Sequence, residues 1–193
     1  ILRSVAPGDN LIQMGEDVKA GEVVLPAGSL LRPADLGGLA ALGFAQISAA
    51  TQPRIAILST GDEVVTVEAE LKPGQVHDVN TTTLSALVAS TGGIPVSYGI
   101  LPDNAHALKE TAIRAIRECD MVVFTAGSSA STRDLTADIV NSLGSPGVLV
   151  HGVNVRPGKP TILGVCAHAD LPPKAVIGLP GNPVSALVIA WLF

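Results

Sequence analysis

Aromatic side chains are nearly absent from this chain: three Phe, one Tyr and one Trp among 193 residues. Surfaces that read nucleic acid stack bases on aromatic rings set among basic residues, and the sequence offers neither. Positive charge is also scarce. Twelve Lys and Arg against 17 Asp and Glu leave a net charge of −5, so any anion site must be local. Cysteine is reduced to Cys119 and Cys166, far apart and without a CxxC pair, which reads as two buried thiols. The four histidines, His77, His106, His151 and His168, show no metal-ligand spacing. No apolar run has the length of a membrane span and no signal peptide is evident, so the expectation is a cytoplasmic protein without a membrane partner. Two phosphate motifs are missing too. There is no GxGxxG, and "RPGKPT" carries Pro160 where a P-loop requires Ser or Thr.

What the chain does hold is small and β-branched apolar residues, punctuated by 20 Gly and 14 Pro. Residues 1–52 read differently from the remainder. "GEDVKAGEVVLPAGSLL" has short β-type runs cut by Gly and Pro, and "RPADLGGLAALGF" reads as a short helix with Pro33 at its start and Gly43 at its end. The ends read as cut: the apolar run "ALVIAWLF" stops at Phe193 without a cap.

From residue 53 to residue 193 strands and helices alternate. "RIAILST", "IPVSYGIL", "MVVFTAG", "TILGVCA" and "KAVIGLP" read as strands. Helices are expected at "NTTTLSALVASTGG", capped by Asn80 or Thr81 and stopped by Gly92, and at "DNAHALKETAIRAIREC", with Leu108, Ala112, Ala115, Ile116 and Cys119 on one face. A helix at "RDLTADIVNSLG" would present Leu135, Ile139 and Leu143, and the final apolar run completes the set. This alternation predicts an α/β domain with a mainly parallel sheet.

In such sheets ligands bind beyond the carboxyl ends of the strands. Those ends carry "STGDE", "LPDN", "TAGSSASTRD" and "GLPGNP", where polar residues and glycines gather. Asp78, Asp103 and Asp134 each sit near an expected helix start, where a single Asp serves as a cap. Capping does not explain why Glu63, Asp103 and Asp134 share one edge, and several carboxylates on one rim suit Mg²⁺. Arg156 and Lys159 add local positive charge across a Pro-Gly turn. The rigid "GLPGNPVSA" stretch reads as a loop that aims N–H groups and the Ser185 hydroxyl at an oxyanion.

"ILSTGDEV", "LPDN", "RPGKPT" and above all "GLPGNPVSA", in this order, resemble the molybdopterin molybdenumtransferase family, which includes the E domain of gephyrin. The resemblance covers nearly the whole chain and implies the end of a β-rich domain with a connecting segment over 1–52 and a three-layer molybdopterin-binding domain over 53–193. It implies insertion of molybdate into adenylylated molybdopterin with release of AMP, use of Mg²⁺, and a homodimer. Carried over by position, Glu63, Asp103 and Asp134 match acidic catalytic and metal-site residues. Pro180 and Pro183 match the loop prolines, Arg156 and Lys159 a basic pair, and Ser185 the serine that follows. The same loops give Thr60, Gly61, Asp62 and Asp78 as expected substrate contacts. Gly127, Ser128 and Ser129 follow from the loop after "MVVFT", and Gly181 and Asn182 from the proline loop. The chain departs from the family at Ala126 and Ser131, where glycines are usual, and at Arg156, where a lysine is usual. "TRDLT" also resembles the molybdopterin adenylyltransferases, and a non-catalytic molybdopterin-binding module is the third reading.

Overall fold

The computed structural model describes Ser4 and residues 6–125, 130–168 and 170–193. It divides into two compact units, Ile1–Ala50 and Thr51–Phe193.

In the first unit the only regular element among the described residues is helix α1 (Pro33–Ala41). Pro33 supplies a fixed φ in the first turn, where no N–H is needed. The Arg32 N–H donates to Asp35 Oδ2 at 2.9 Å, and the Arg32 guanidinium meets the same carboxylate at 3.0 Å. These hydrogen bonds hold the Asp35 carboxyl down to about 2. Gly43, at φ +85°, lets the chain turn away as expected. The β-type runs expected before α1 form no ladder among the described residues. Glycine turns interrupt them every few residues, and short runs without a partner strand leave their N–H and C=O groups to water.

The second unit contains β1 (Arg54–Thr60), β2 (Val64–Val65), β3 (Val76–His77), α2 (Val79–Ser90), β4 (Ile94–Leu101), α3 (Ala105–Glu118) and β5 (Met121–Thr125). It continues through α4 (Ala130–Ser142), β6 (Ser145–His151), β7 (Ile162–His168), β8 (Leu171–Leu179) and α5 (Pro183–Leu192). Six strands form one sheet in the order β4-β1-β5-β8-β7-β6. The first four run parallel, whereas β7 is antiparallel to β8, and β6 to β7. β2 and β3 pair separately as a short parallel ribbon.

Alternation along the strands makes three layers. Ala56, Leu58, Val122, Phe124 and Val176 face one core, which α3 and α4 cover. Ile57, Val123, Ile177 and Leu179 face the other, with Leu84 of α2 and Ala186 and Ile189 of α5. The α3 face expected from spacing (Leu108, Ala112, Ala115, Ile116 and Cys119) is wholly buried.

Three local expectations change. Helix α2 is capped by Asp78, in keeping with the capping reading of that residue, and not by Asn80 or Thr81: the Asp78 carboxylate accepts from the Thr81 N–H at 3.0 Å and the Thr81 hydroxyl at 2.6 Å. Helix α3 is capped by Asn104, not by Asp103, because the Asn104 side chain reaches two free N–H groups. Helix α4 begins at Ala130, so Asp134 lies within it, exposed, and caps nothing. Strand β6 was not anticipated, because "SPGVLV" opens on turn residues. An edge position admits them.

Both edges carry a proline. Ile94 donates to the Pro53 carbonyl at 2.8 Å on the β1 side, so the nitrogen of Pro95 faces the open side. On β6, Val148 donates at 2.9 Å to Asn141 Oδ1 of α4, and Pro146, two residues earlier, turns its nitrogen the same way.

Candidate functional site

The four parallel strands deliver their carboxyl ends to one rim, with residues 61–63 after β1, 102–104 after β4 and 180–182 after β8. Gly127, Ser128 and Ser129, expected here after β5, lie outside the described residues. The antiparallel pairs His151↔Ile162 and Ile162↔Gly178 bring the β6–β7 connection, 152–161, to the same edge. Arg156 and Lys159 therefore join the rim, exposed to solvent.

That connection is fixed internally. Gly152 donates to the Thr161 carbonyl at 2.7 Å, Val153 to the Lys159 carbonyl at 2.9 Å, and the Thr161 hydroxyl to the Gly158 carbonyl at 2.6 Å. Gly158 is buried at φ +121°, and a Cβ there would collide with Ile189 Cδ1 and Cγ1 of α5. The absence of a side chain is what lets the basic loop pack on the helix.

Below the rim lies a cleft of about 710 Å³. Of the expected residues, Thr60, Glu63, Asp78, Gly181, Asn182 and Pro183 line it together. Gln75, His77, Asn80 and Thr125 line it as well and were not assigned from the sequence. Thr125 had a visible signal, being the polar residue that ends a buried apolar strand. Thr60, buried, donates its hydroxyl to the Thr125 carbonyl at 3.3 Å. Gly61, at φ +141°, is closely covered, since a Cβ would lie 2.9 Å from Glu63 Oε2. Asp62 is exposed and ties two rim loops: its Oδ1 accepts from the Asp103 N–H at 3.2 Å. His77 Nε2 sits 3.0 Å from the Ala69 carbonyl oxygen.

The proline loop is built differently from its sequence reading. Pro180 is buried and Pro183 opens α5. Asn182 Oδ1 accepts from the N–H groups of Val184 at 3.1 Å and Ser185 at 3.2 Å. The Ser185 hydroxyl also meets Asn182 Oδ1, at 3.4 Å. Two of the N–H groups in the loop expected to face an oxyanion, those of Val184 and Ser185, are thus occupied by a helix cap, the ordinary solution at a helix start. Asn80 Nδ2 donates to the Gly181 carbonyl at 2.9 Å and ties this loop to α2.

The expected Mg²⁺ site does not close. Among the described residues no three Asp, Glu, His or Cys side chains converge to hold a cation. Glu63, Asp103 and Asp134 share an edge by topology but are carried by a covered turn, a solvent-facing loop and the second turn of α4. Among the described residues no helix is long and apolar enough to cross a membrane.

This chain is similar to known proteins over its whole length. The family described as "Probable molybdopterin binding domain" matches residues 56–193, and the MoeA N-terminal region (domain I and II) matches residues 1–43. A molybdopterin molybdenumtransferase from Nostoc sp. is 39% identical over all of this chain and 44% of its own length. One from Haemophilus influenzae is 37% identical over 94% of this chain and 43% of its own. The chain therefore spans less than half the length of these curated relatives. The crystal structure of a molybdopterin biosynthesis MoeA protein from Pyrococcus horikosii superposes with a TM-score of 0.79 at 35% identity, covering 92% of this chain and 42% of that one. With the three-layer fold, the polar rim and these matches in agreement, the chain belongs to the molybdopterin-binding domain family.

Proposed function

We propose that this chain forms the molybdopterin-binding part of a molybdenum insertase, which transfers molybdate to adenylylated molybdopterin and releases AMP. The observation that carries this reading is the β6–β7 turn. It brings Arg156 and Lys159 to the same strand-end rim as the cleft beneath it. The substrate carries a ring system at each end and anionic groups between them, so it needs a cleft for a ring and cations for its oxyanions. The exposed guanidinium and ammonium supply charge-assisted hydrogen bonds to an oxyanion, the first as a planar fork and the second as a point charge. The fixed loop holds both in place before ligand arrives, which lowers the ordering cost of binding. Mg²⁺ has no protein-only ligand set among the described residues, and no step is assigned to it. Homodimer formation and a cytoplasmic setting belong to the same reading.

The reading is tested by titrating molybdate into purified wild-type and Lys159→Ala protein. One lost charge-assisted contact costs about 1.5–3 kcal/mol, so the variant is expected to bind roughly tenfold more weakly or worse. Equal affinities would remove Lys159 from the oxyanion site.

A further inference from the structure

Two polar atoms in the cleft are left unanswered by the fold. Thr125 is 2% exposed, and its Oγ1 has no hydrogen-bond partner among the described residues. Asn80 Oδ1 is buried and unpartnered in the same sense. Both residues line the one cleft. Buried polar groups without partners are rare in native folds, and two beside the same cleft ask for a shared explanation.

The orientation of Asn80 is settled by its neighbour. A backbone carbonyl only accepts, so the Asn80 atom 2.9 Å from the Gly181 oxygen is the amide nitrogen. The unpartnered atom is then the carbonyl oxygen, an acceptor. Glu63 and Asp78 bring further acceptors to the same wall. Of these four groups only the Thr125 hydroxyl can also donate, and the adjacent Thr60 hydroxyl is already spent on the Thr125 carbonyl. Such a wall repels an oxyanion and suits a group that presents N–H.

We propose that Asn80 and Thr125 recognise the amino-bearing edge of a nitrogen heterocycle, leaving the oxyanions of the ligand to the loop with Arg156 and Lys159. The inference rests on the insertase reading, in which the substrate carries two such rings, a pterin and an adenine. Both present an exocyclic amine beside a ring nitrogen. An amine hydrogen meets Asn80 Oδ1, and the Thr125 hydroxyl bonds the neighbouring ring position.

The test is Thr125→Val, which removes the hydroxyl at nearly constant shape. Pterin-6-carboxylate, AMP and molybdate are each titrated into purified wild-type and variant protein, and thermal midpoints are measured in parallel. The expected result is a midpoint equal to or above wild type, about fivefold weaker binding of one heterocycle, and unchanged molybdate affinity. Weakening confined to pterin-6-carboxylate identifies the pterin, and weakening confined to AMP identifies the adenine. A variant that binds both heterocycles as wild type does overturns the inference, as does wild-type protein that binds neither. Absence of molybdate binding in wild type would instead remove the insertase reading itself.

Discussion

The two ends of the same parallel strands are finished in opposite ways. At the amino end, Asp120 accepts from the Arg54 N–H at 2.9 Å and from Lys174 Nζ at 3.2 Å, and its own N–H donates to the Arg54 carbonyl at 2.8 Å. The Arg54 side chain donates to the Glu118 carbonyl at 3.1 Å. Polar groups there are answered from within the protein. At the carboxyl end, Asn80 and Thr125 keep unpartnered buried atoms, and Arg156 and Lys159 make no ion pair among the described residues. One end closes the sheet; the other holds hydrogen-bonding and charge capacity in reserve. Such a division is expected where local rules are relaxed at a functional site and obeyed elsewhere.

The contrast is sharpest at Gly158. Gly158→Ala forces a Cβ into Ile189 at a backbone angle that disfavours side chains. The expected cost is about 2–3 kcal/mol, read by denaturant unfolding. Molybdate affinity should fall too, because Arg156 and Lys159 move with the loop. Wild-type stability would mean that α5 yields easily and does not anchor the rim.

Asn182 comes next. Asn182→Ala removes the cap of α5 and should cost about 1 kcal/mol, whereas Asn182→Asp keeps a capping oxygen and should hold stability near wild type. If N–H groups of α5 served an oxyanion instead, the alanine variant would bind molybdate more tightly than wild type. Titration of both variants separates a cap from a binding site.

The smallest effect belongs to the closed end. Asp120→Asn keeps an acceptor for Arg54 but loses the ion pair with Lys174, a partly exposed contact worth about 0.5 kcal/mol. The Arg54 N–H and then Lys174 hold the Asp120 carboxyl below its ordinary 3.8. Its stabilisation is therefore complete above about pH 4 and fades as acid protonates the folded protein. The difference between variant and wild type in urea midpoint should shrink on acidification from pH 7 to pH 3, with ligand affinities unaltered. A large change in molybdate affinity would show that the two ends are coupled.

Much of the fold was legible because it follows from repetition. Buried strands read as continuous apolar runs, and α3 declared its inner face by the spacing of Leu108, Ala112, Ala115, Ile116 and Cys119. The rim was legible for a topological reason: parallel strands must deliver their carboxyl ends to one side. What stayed hidden depended on competition between groups at short range. Asp134 has the chemistry of a cap, yet α4 starts four residues earlier and leaves Asp134 exposed on its surface. "GLPGNPVSA" looked like a nest of free N–H groups, but Asn182 takes two of them. The route of Arg156 and Lys159 to the rim depended on β6, whose Ser-Pro-Gly opening disguised it. No pattern announces a spare oxygen such as that of Asn80. It exists only because Gly181, a hundred and one residues away, claims the nitrogen.

The prolines at the two sheet borders have a consequence for how copies of this protein meet. A bare strand border is a template, and any chain with a free donor row can extend it. Here Pro95 and Pro146 delete outward donors from the two outermost strands, and Asn141 occupies another at Val148. Each flank of the six-stranded sheet therefore offers an interrupted row of donors to an incoming strand, which disfavours strand-to-strand joining of two copies and favours contact through helix faces or loops.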